Sequence, residues 1–241
     1  MYSKKSFKII LSIIVITVSF SFVSSRFTNV KRVSVSMISR SIRYGKTMTM
    51  RAEICYNLSG GKMVSHYSEP IEQYILNTSK GEISIYSPEK NTVQQQVNYL
   101  YSTETTQFYY FLNNQKTDLG LRGMGFINKN TKFEKDLMIS TWLPPTRVAK
   151  QIKEIELVHQ GLNPIYTKYI GAGGNVIKKI YYYQYQNVGG IDFPLAVTQI
   201  DYFSTKDSVI SKTSYTDVKI NEAVNSKLAN FVIPSNAKTL K

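Results

Sequence analysis

Cysteine is nearly missing from this chain: Cys55 is the only one among 241 residues. One thiol makes no internal disulfide, so no disulfide framework holds the fold. Cys55 lies far from the N-terminus, where a lipid-modified cysteine would have to be, and no His or Asp pattern surrounds it. It is expected to be a small packed side chain, not a nucleophile. Histidine is almost as scarce. His66 and His159 are the two present, too few for most metal sites without carboxylate help, and neither falls in a ligand-spaced cluster. Acidic residues are the minority charge, 16 against 30 Lys and Arg. Nothing in the spacing of Glu154, Glu156 or Asp201 selects a catalytic carboxylate pair, because strand alternation explains them as solvent-facing. No G-x-S-x-G elbow, phosphate loop or dinucleotide fingerprint occurs. The glycine-rich Gly171-Ala-Gly-Gly174 lies between two strand-like runs and reads as a hairpin turn. With these constellations missing, the expectation is a protein that is not an enzyme and needs no metal or cofactor.

What is present favours a β-sheet. Hydrophobic residues make up 42% and charged residues 19% of the chain, values that exclude wholesale disorder. The 18 tyrosines, with frequent Thr, Ile and Val, suit a pleated, half-buried surface. The net charge of +14 suits anionic partners such as nucleic acid or lipid headgroups. The basic residues are spread along the chain, however, and serve solubility equally well.

The N-terminus has the order of a secretory signal peptide. Lys4, Lys5 and Lys8 precede an apolar run from Ile9 to Val23, and Val23-Ser24-Ser25 supplies small residues for a cut after Ser25. The run is shorter than the roughly 20 residues that cross a bilayer comfortably. Residues 1–25 are therefore expected to be a signal peptide, with a retained anchor as the alternative. Either way the body of the chain, residues 26–241, is exported and reads as one domain. Export makes nucleic acid an unsuitable partner.

The clearest pattern runs from Lys46 to Asn57. Met48, Met50, Ala52, Ile54 and Tyr56 alternate with Thr47, Thr49, Arg51 and Glu53, which predicts a strand with one apolar face. Further strands are expected at 62–67, 71–76, 83–86 and 93–97, separated by turn clusters such as Asn57-Leu-Ser-Gly-Gly61 and Ser87-Pro-Glu-Lys-Asn91. Residues 28–45 alternate through Val30, Val33, Val35 and Met37, as a strand or a shortened helix. From 103 to 147 the alternation fades. Leu119 to Gly125 is glycine-broken, and Phe133 to Trp142 is expected to form a short helix ended by Pro144-Pro145. Strands resume at 151–159, 164–170, 176–185, 192–202 and 209–220, with Pro194 best placed at a strand start or an edge. Asn221 is expected to cap a helical turn over 222–229.

Several stretches together resemble the LolA/LolB-like lipoprotein-carrier family. Lys62-Met-Val-Ser-His-Tyr-Ser-Glu-Pro70 is similar to its first motif. Lys80-Gly81, then Ile83-Ser-Ile-Tyr-Ser-Pro88, Asn91 and Val93 follow its strand, glycine turn and "tyrosine-x-proline" order. Tyr215-Thr-Asp-Val-Lys-Ile-Asn221, Leu228, Phe231 and Ile233-Pro234 resemble its closing strand and ending. The resemblance implies a half-open antiparallel β-barrel around an apolar cavity, with a few short helices as a lid. It implies a carrier, expected as a monomer, that shields the acyl chains of lipoproteins or other lipid at the periplasm or outer-membrane periphery, with the membrane surface as a further partner. In two places the chain departs from the motif: Val64 stands where carrier members have a lid-latching arginine, and Ser65 where they have tryptophan. The alternative, from a different class, is a structural or adhesive envelope module without a lipid ligand.

On this reading the stripe Met48, Met50, Ala52, Ile54 and Tyr56 lines the cavity, since one face of a curved sheet must line its concave side. Leu119, Leu121, Met124, Phe126, Leu137 and Trp142 are the expected lid residues. For each stripe residue, plain core packing is the competing explanation.

Overall fold

The computed structural model describes residues 30–113, 115–204 and 207–240; the expected signal peptide lies outside them. Strands β1 (Arg32–Arg43), β2 (Lys46–Asn57), β3 (Lys62–Glu69), β4 (Gln73–Asn77), β5 (Glu82–Ser87) and β6 (Thr92–Val97) form one antiparallel meander. Strands β7 (Ile127–Glu134), β8 (Leu137–Leu143), β9 (Ile152–Gln160), β10 (Asn163–Gly171), β11 (Val176–Val188), β12 (Ile191–Ser204) and β13 (Asp207–Ile220) form a second. Pairing of β1 with β13, in register Met37 to Tyr215, joins the two edge to edge. A last strand, β14 (Lys238–Leu240), adds parallel to β6. The result is one 14-stranded sheet whose end strands, β14 and β7, do not meet. It is a half-open, mainly antiparallel barrel.

The alternation in β2 places its apolar residues on the concave face. Tyr56, Ile54 and Ala52 stand opposite Val33, Val35 and Met37 of β1, and all six are buried. The stripe then rises out of the core: Met50 is half-buried and Met48 is 51% exposed. Residues 32–43 are thus strand, not helix. Covering this part of the concave face is α1 (Gln107–Leu112), whose N-cap Thr106 accepts a hydrogen bond from the Tyr109 amide. Its Phe108 meets Phe193 and Tyr215, each at 5.5 Å between ring centres, and its Phe111 meets Tyr182 at 5.6 Å. The convex face over β2 to β5 is closed by α2 (Ser226–Ala229) and the tail behind it. Leu228 and Val224 pack on Cys55 and Val64, and Phe231 stacks on Tyr74 at 4.0 Å, which stacks on His66 at 4.3 Å.

Two expectations are corrected. Phe133 to Trp142 is not a helix: it crosses the β7–β8 hairpin, which turns at Lys135 with φ 56°. β7 is exposed along almost its whole length, so neither face of it carried the apolar alternation that marks a strand. Asn221 does not cap the C-terminal helix. Its Oδ1 accepts from the backbone amides of Lys31 and Arg32, while Asn225 accepts from the amides of Lys227 and Leu228 and so caps α2. Pro194 sits where β12 pairs with β11 but not yet with β13, whose register begins at Ala196, so on the β13 side no ladder calls for its missing N–H. Among the described residues no helix is long and apolar enough to cross a membrane.

Candidate functional site

Between α1 and β7 the chain runs over the concave face as a string of turns. Its root is held by three contacts. Lys116 Nζ donates to Asn163 Oδ1 at 2.9 Å and lies 3.4 Å from Asp192 Oδ2, and His159 Nε2 donates to the Lys116 carbonyl at 3.0 Å. Burial lowers the His159 pKa, so the ring is held neutral; the bond to Lys116 O opposes that shift. The tip is shaped by Leu119 and Gly120 at φ 47° and 75°. A Cβ on Gly120 would come within 2.3 Å of Tyr110 Cε1, so the loop lies against α1 with no room to spare. The far end is tied by Arg147, whose Nη2 donates to the Met124 carbonyl at 2.7 Å. Arg122 stands 5.8 Å above the Trp142 ring.

Beneath this segment lies a cavity of about 570 Å³. Leu119, Leu121, Met124 and Phe126 form its roof, and Ile155, Leu157, Tyr169, Ile180, Tyr182 and Val197 its floor, with Val148 and Ile152 at one side. The floor residues belong to β9, β10, β11 and β12 and share the concave face, since Leu157 pairs with Thr167, Thr167 with Ile180 and Tyr182 with Val197. Thr105, Gln107, Arg147, Thr167 and Gln199 also line the cavity. Gln107 Nε2 is buried there without a partner. Thr167 Oγ1 is buried with no partner in hydrogen-bond geometry, though it lies close enough to Tyr182 to pull that phenol's pKa down slightly against burial. Burial raises Tyr182 and Tyr169 and pushes Tyr110 up to about 12, so these phenols are neutral donors and not phenolates near pH 7. Cys55, on the opposite face, is pushed up to about 11 by burial, which leaves it a thiol with no nucleophilic character. Among the described residues no three His, Cys, Asp or Glu are grouped to hold a metal.

The structure divides the sequence-selected residues. Leu119, Leu121, Met124 and Phe126 roof the cavity. Leu137 and Trp142 do not belong to the covering segment, because β8 is part of the sheet; Trp142 Nε1 donates to Ser140 Oγ at 2.9 Å and lines a second, more polar hollow of about 680 Å³ on the other side of the loop. Ala52, Ile54 and Tyr56 join the same core cluster as α1, and the β2 stripe is not among the residues lining the roofed cavity. The floor on β9 to β12 was missed as a site. Its signal was present in the alternation of Ile155, Leu157 and His159, and in the even positions of β11.

No protein-family model matches the chain, and no curated protein does. Solved structures do. A DUF1329 family protein from Desulfovibrio piger superposes with a TM-score of 0.58 at 8% identity, over 83% of this chain and 90% of the other. A LolA superfamily protein from Nitrosomonas europaea gives 0.54 at 12%, over 86% and 96%. A domain named for outer membrane lipoprotein sorting, from Vibrio parahaemolyticus, gives 0.54 at 9%, over 83% and 89%. The fold is LolA-like, as the sequence motifs implied.

Proposed function

We propose that this protein is a lipid carrier of a bacterial cell envelope, exported to the periplasm or outer-membrane periphery, that shields acyl chains of a lipoprotein or other lipid in the cavity between residues 119–126 and β9 to β12. The observation that carries the reading is the cavity: about 570 Å³, within the range of small-molecule sites, with an apolar floor and an apolar roof that belongs to a loop and not to the sheet. Likeness of fold to a LolA superfamily protein and to a domain named for outer membrane lipoprotein sorting supports it. An acyl chain gains roughly 0.8 kcal/mol per methylene buried. Leu and Met side chains in the roof adapt to a flexible chain without exact shape matching. Gln107 Nε2 gives an ester or amide carbonyl a donor that the protein leaves unused, and neutral phenols supply no charge to repel a hydrocarbon. Arg147 ties the roof shut from β8's far end, a position unrelated to Val64, where the family motif carries its arginine. The test is extraction of the purified full chain with organic solvent, followed by mass spectrometry, together with uptake of a fluorescent fatty acid. Copurified lipid and saturable uptake are expected. A chain that purifies free of lipid and takes up no probe is instead the structural or adhesive module.

A further inference from the structure

Antiparallel pairing brings several turns to one end of the sheet. The β1–β2 turn lies there, with Arg43 opposite Lys46. So does the β12–β13 connection, because Ile42 of β1 faces Ile210 of β13 and Ser204 pairs with Asp207. This end carries large apolar side chains where a hairpin tip ordinarily carries polar ones. Tyr44 is 73% exposed and Phe203 63%. Tyr44 also adopts φ 49°, followed by Gly45 at 71°. That is the first central position of a type I′ turn, where Asn or Asp is the favoured partner of Gly, and a bulky residue at positive φ is an outlier. An aromatic ring has been placed there against the local backbone preference, and such outliers point to function.

The two rings are held together. The Arg43 guanidinium lies 4.8 Å from the Phe203 ring and 5.2 Å from the Tyr44 ring, and Asp207 fixes it at 2.7 Å. Beside this platform Lys46, the ladder partner of Arg43, is exposed; Arg40 and Lys212, also exposed, pair with each other further along the strands and line a hollow on the opposite face, and among the described residues none of the three has a carboxylate at ion-pair distance. Aromatic rings settle at headgroup depth. Basic side chains meet lipid phosphates, each contributing enough to change binding about fivefold. The combination matches an anionic bilayer in chemistry and in sign of charge.

We propose that the β1–β2 turn, with Phe203 beside it, seats the protein on an anionic phospholipid surface. The inference deepens the carrier reading and rests on it for its purpose. Ile152, at the side of the cavity, pairs with Gly171 at this same end of the sheet, so a docked carrier turns that end towards the bilayer.

The test uses the full chain with a local reporter, Tyr44→Trp, and a control, Leu162→Trp. Leu162 is 80% exposed at the β9–β10 turn, at the opposite end, and the native Trp142 is buried in both variants. On phosphatidylcholine vesicles containing phosphatidylglycerol, emission of the Tyr44→Trp variant should move to shorter wavelength and be quenched by lipids brominated in their acyl chains. The Leu162→Trp emission should not change. Adding Lys46→Gln should lower partition of the reporter variant about fivefold at low salt, with little effect at high salt, where charge is screened. Equal quenching at both positions, or none at position 44, overturns the proposal. So does a blue shift that needs no vesicles and grows with protein concentration, which would mark contact between two copies. Fatty-acid uptake by the same preparations separates the two readings: uptake without quenching at position 44 overturns docking alone, and quenching without uptake overturns carriage.

Discussion

Residues on the concave face do two different jobs, and substitutions separate them. Ile54 is packed beneath α1 in the main core. Truncation to Ala there should destabilise the fold by about 2–5 kcal/mol, the usual range for a large-to-small change in a core, read as a drop in denaturant midpoint. Val197 borders the cavity. Val197→Phe fills empty space and should leave the midpoint nearly unchanged while lowering uptake of a lipid probe at least tenfold. Gln107 behaves differently again. Its amide nitrogen is buried and unpartnered, and removing such a group with an apolar side chain of similar shape is neutral or stabilising. Gln107→Leu should therefore unfold no earlier than the parent, and by up to about 1 kcal/mol later.

At the scale of elements, the roof segment is anchored in part by a titrating histidine. His159 is held neutral by burial and donates to Lys116 O. Its folded pKa lies below the ordinary 6.5, so the unfolded chain binds more protons in the interval between the two values. The contribution of His159 to stability is complete above pH 6.5 and is lost as pH falls towards the lowered value. Protection factors of amides in 115–126, taken relative to the intrinsic exchange rate at each pH, should fall below pH 6.5, and His159→Gln should flatten that dependence. Sequence alone revealed the elements unevenly. β2 was legible because apolar and polar side chains alternate from Thr47 to Ile54, although burial follows that pattern only in part: Met48 is exposed and Cys55, on the other face, is buried. The β7–β8 hairpin was not, because β7 has no buried face to produce a pattern. The roof residues Leu119 to Phe126 were legible as a break in alternation. The floor was not, because membership of one cavity depends on which strands become neighbours, and that is set by registers such as Leu157 to Thr167, not by any local run of residues.

The whole molecule is two meanders sharing the β1–β13 seam, wrapped at the back by the C-terminal tail. That wrap is held by Asn91, whose Nδ2 donates to Asn236 O and whose own carbonyl accepts from the Lys238 amide. Under it lies Cys55, buried against Leu228. Leu228→Ser should open the back of the sheet and speed labelling of Cys55 by a thiol reagent by an order of magnitude or more, without changing the cavity on the other face. On the front, an open barrel leaves its concave side to be filled by something other than strands. α1 fills the part around Tyr182, Phe193 and Tyr215, and the 115–126 segment spans the neighbouring part over β9 to β12 without filling it. That unfilled part is the basis for reading the protein as a carrier. Equilibrium titration of the full chain and its Val197→Phe variant with a fluorescent fatty acid addresses it most directly. Saturable binding of about one probe per chain by the parent, lost in a variant that melts at the same temperature, is the predicted result; equal binding by both chains, or none by either, would contradict it.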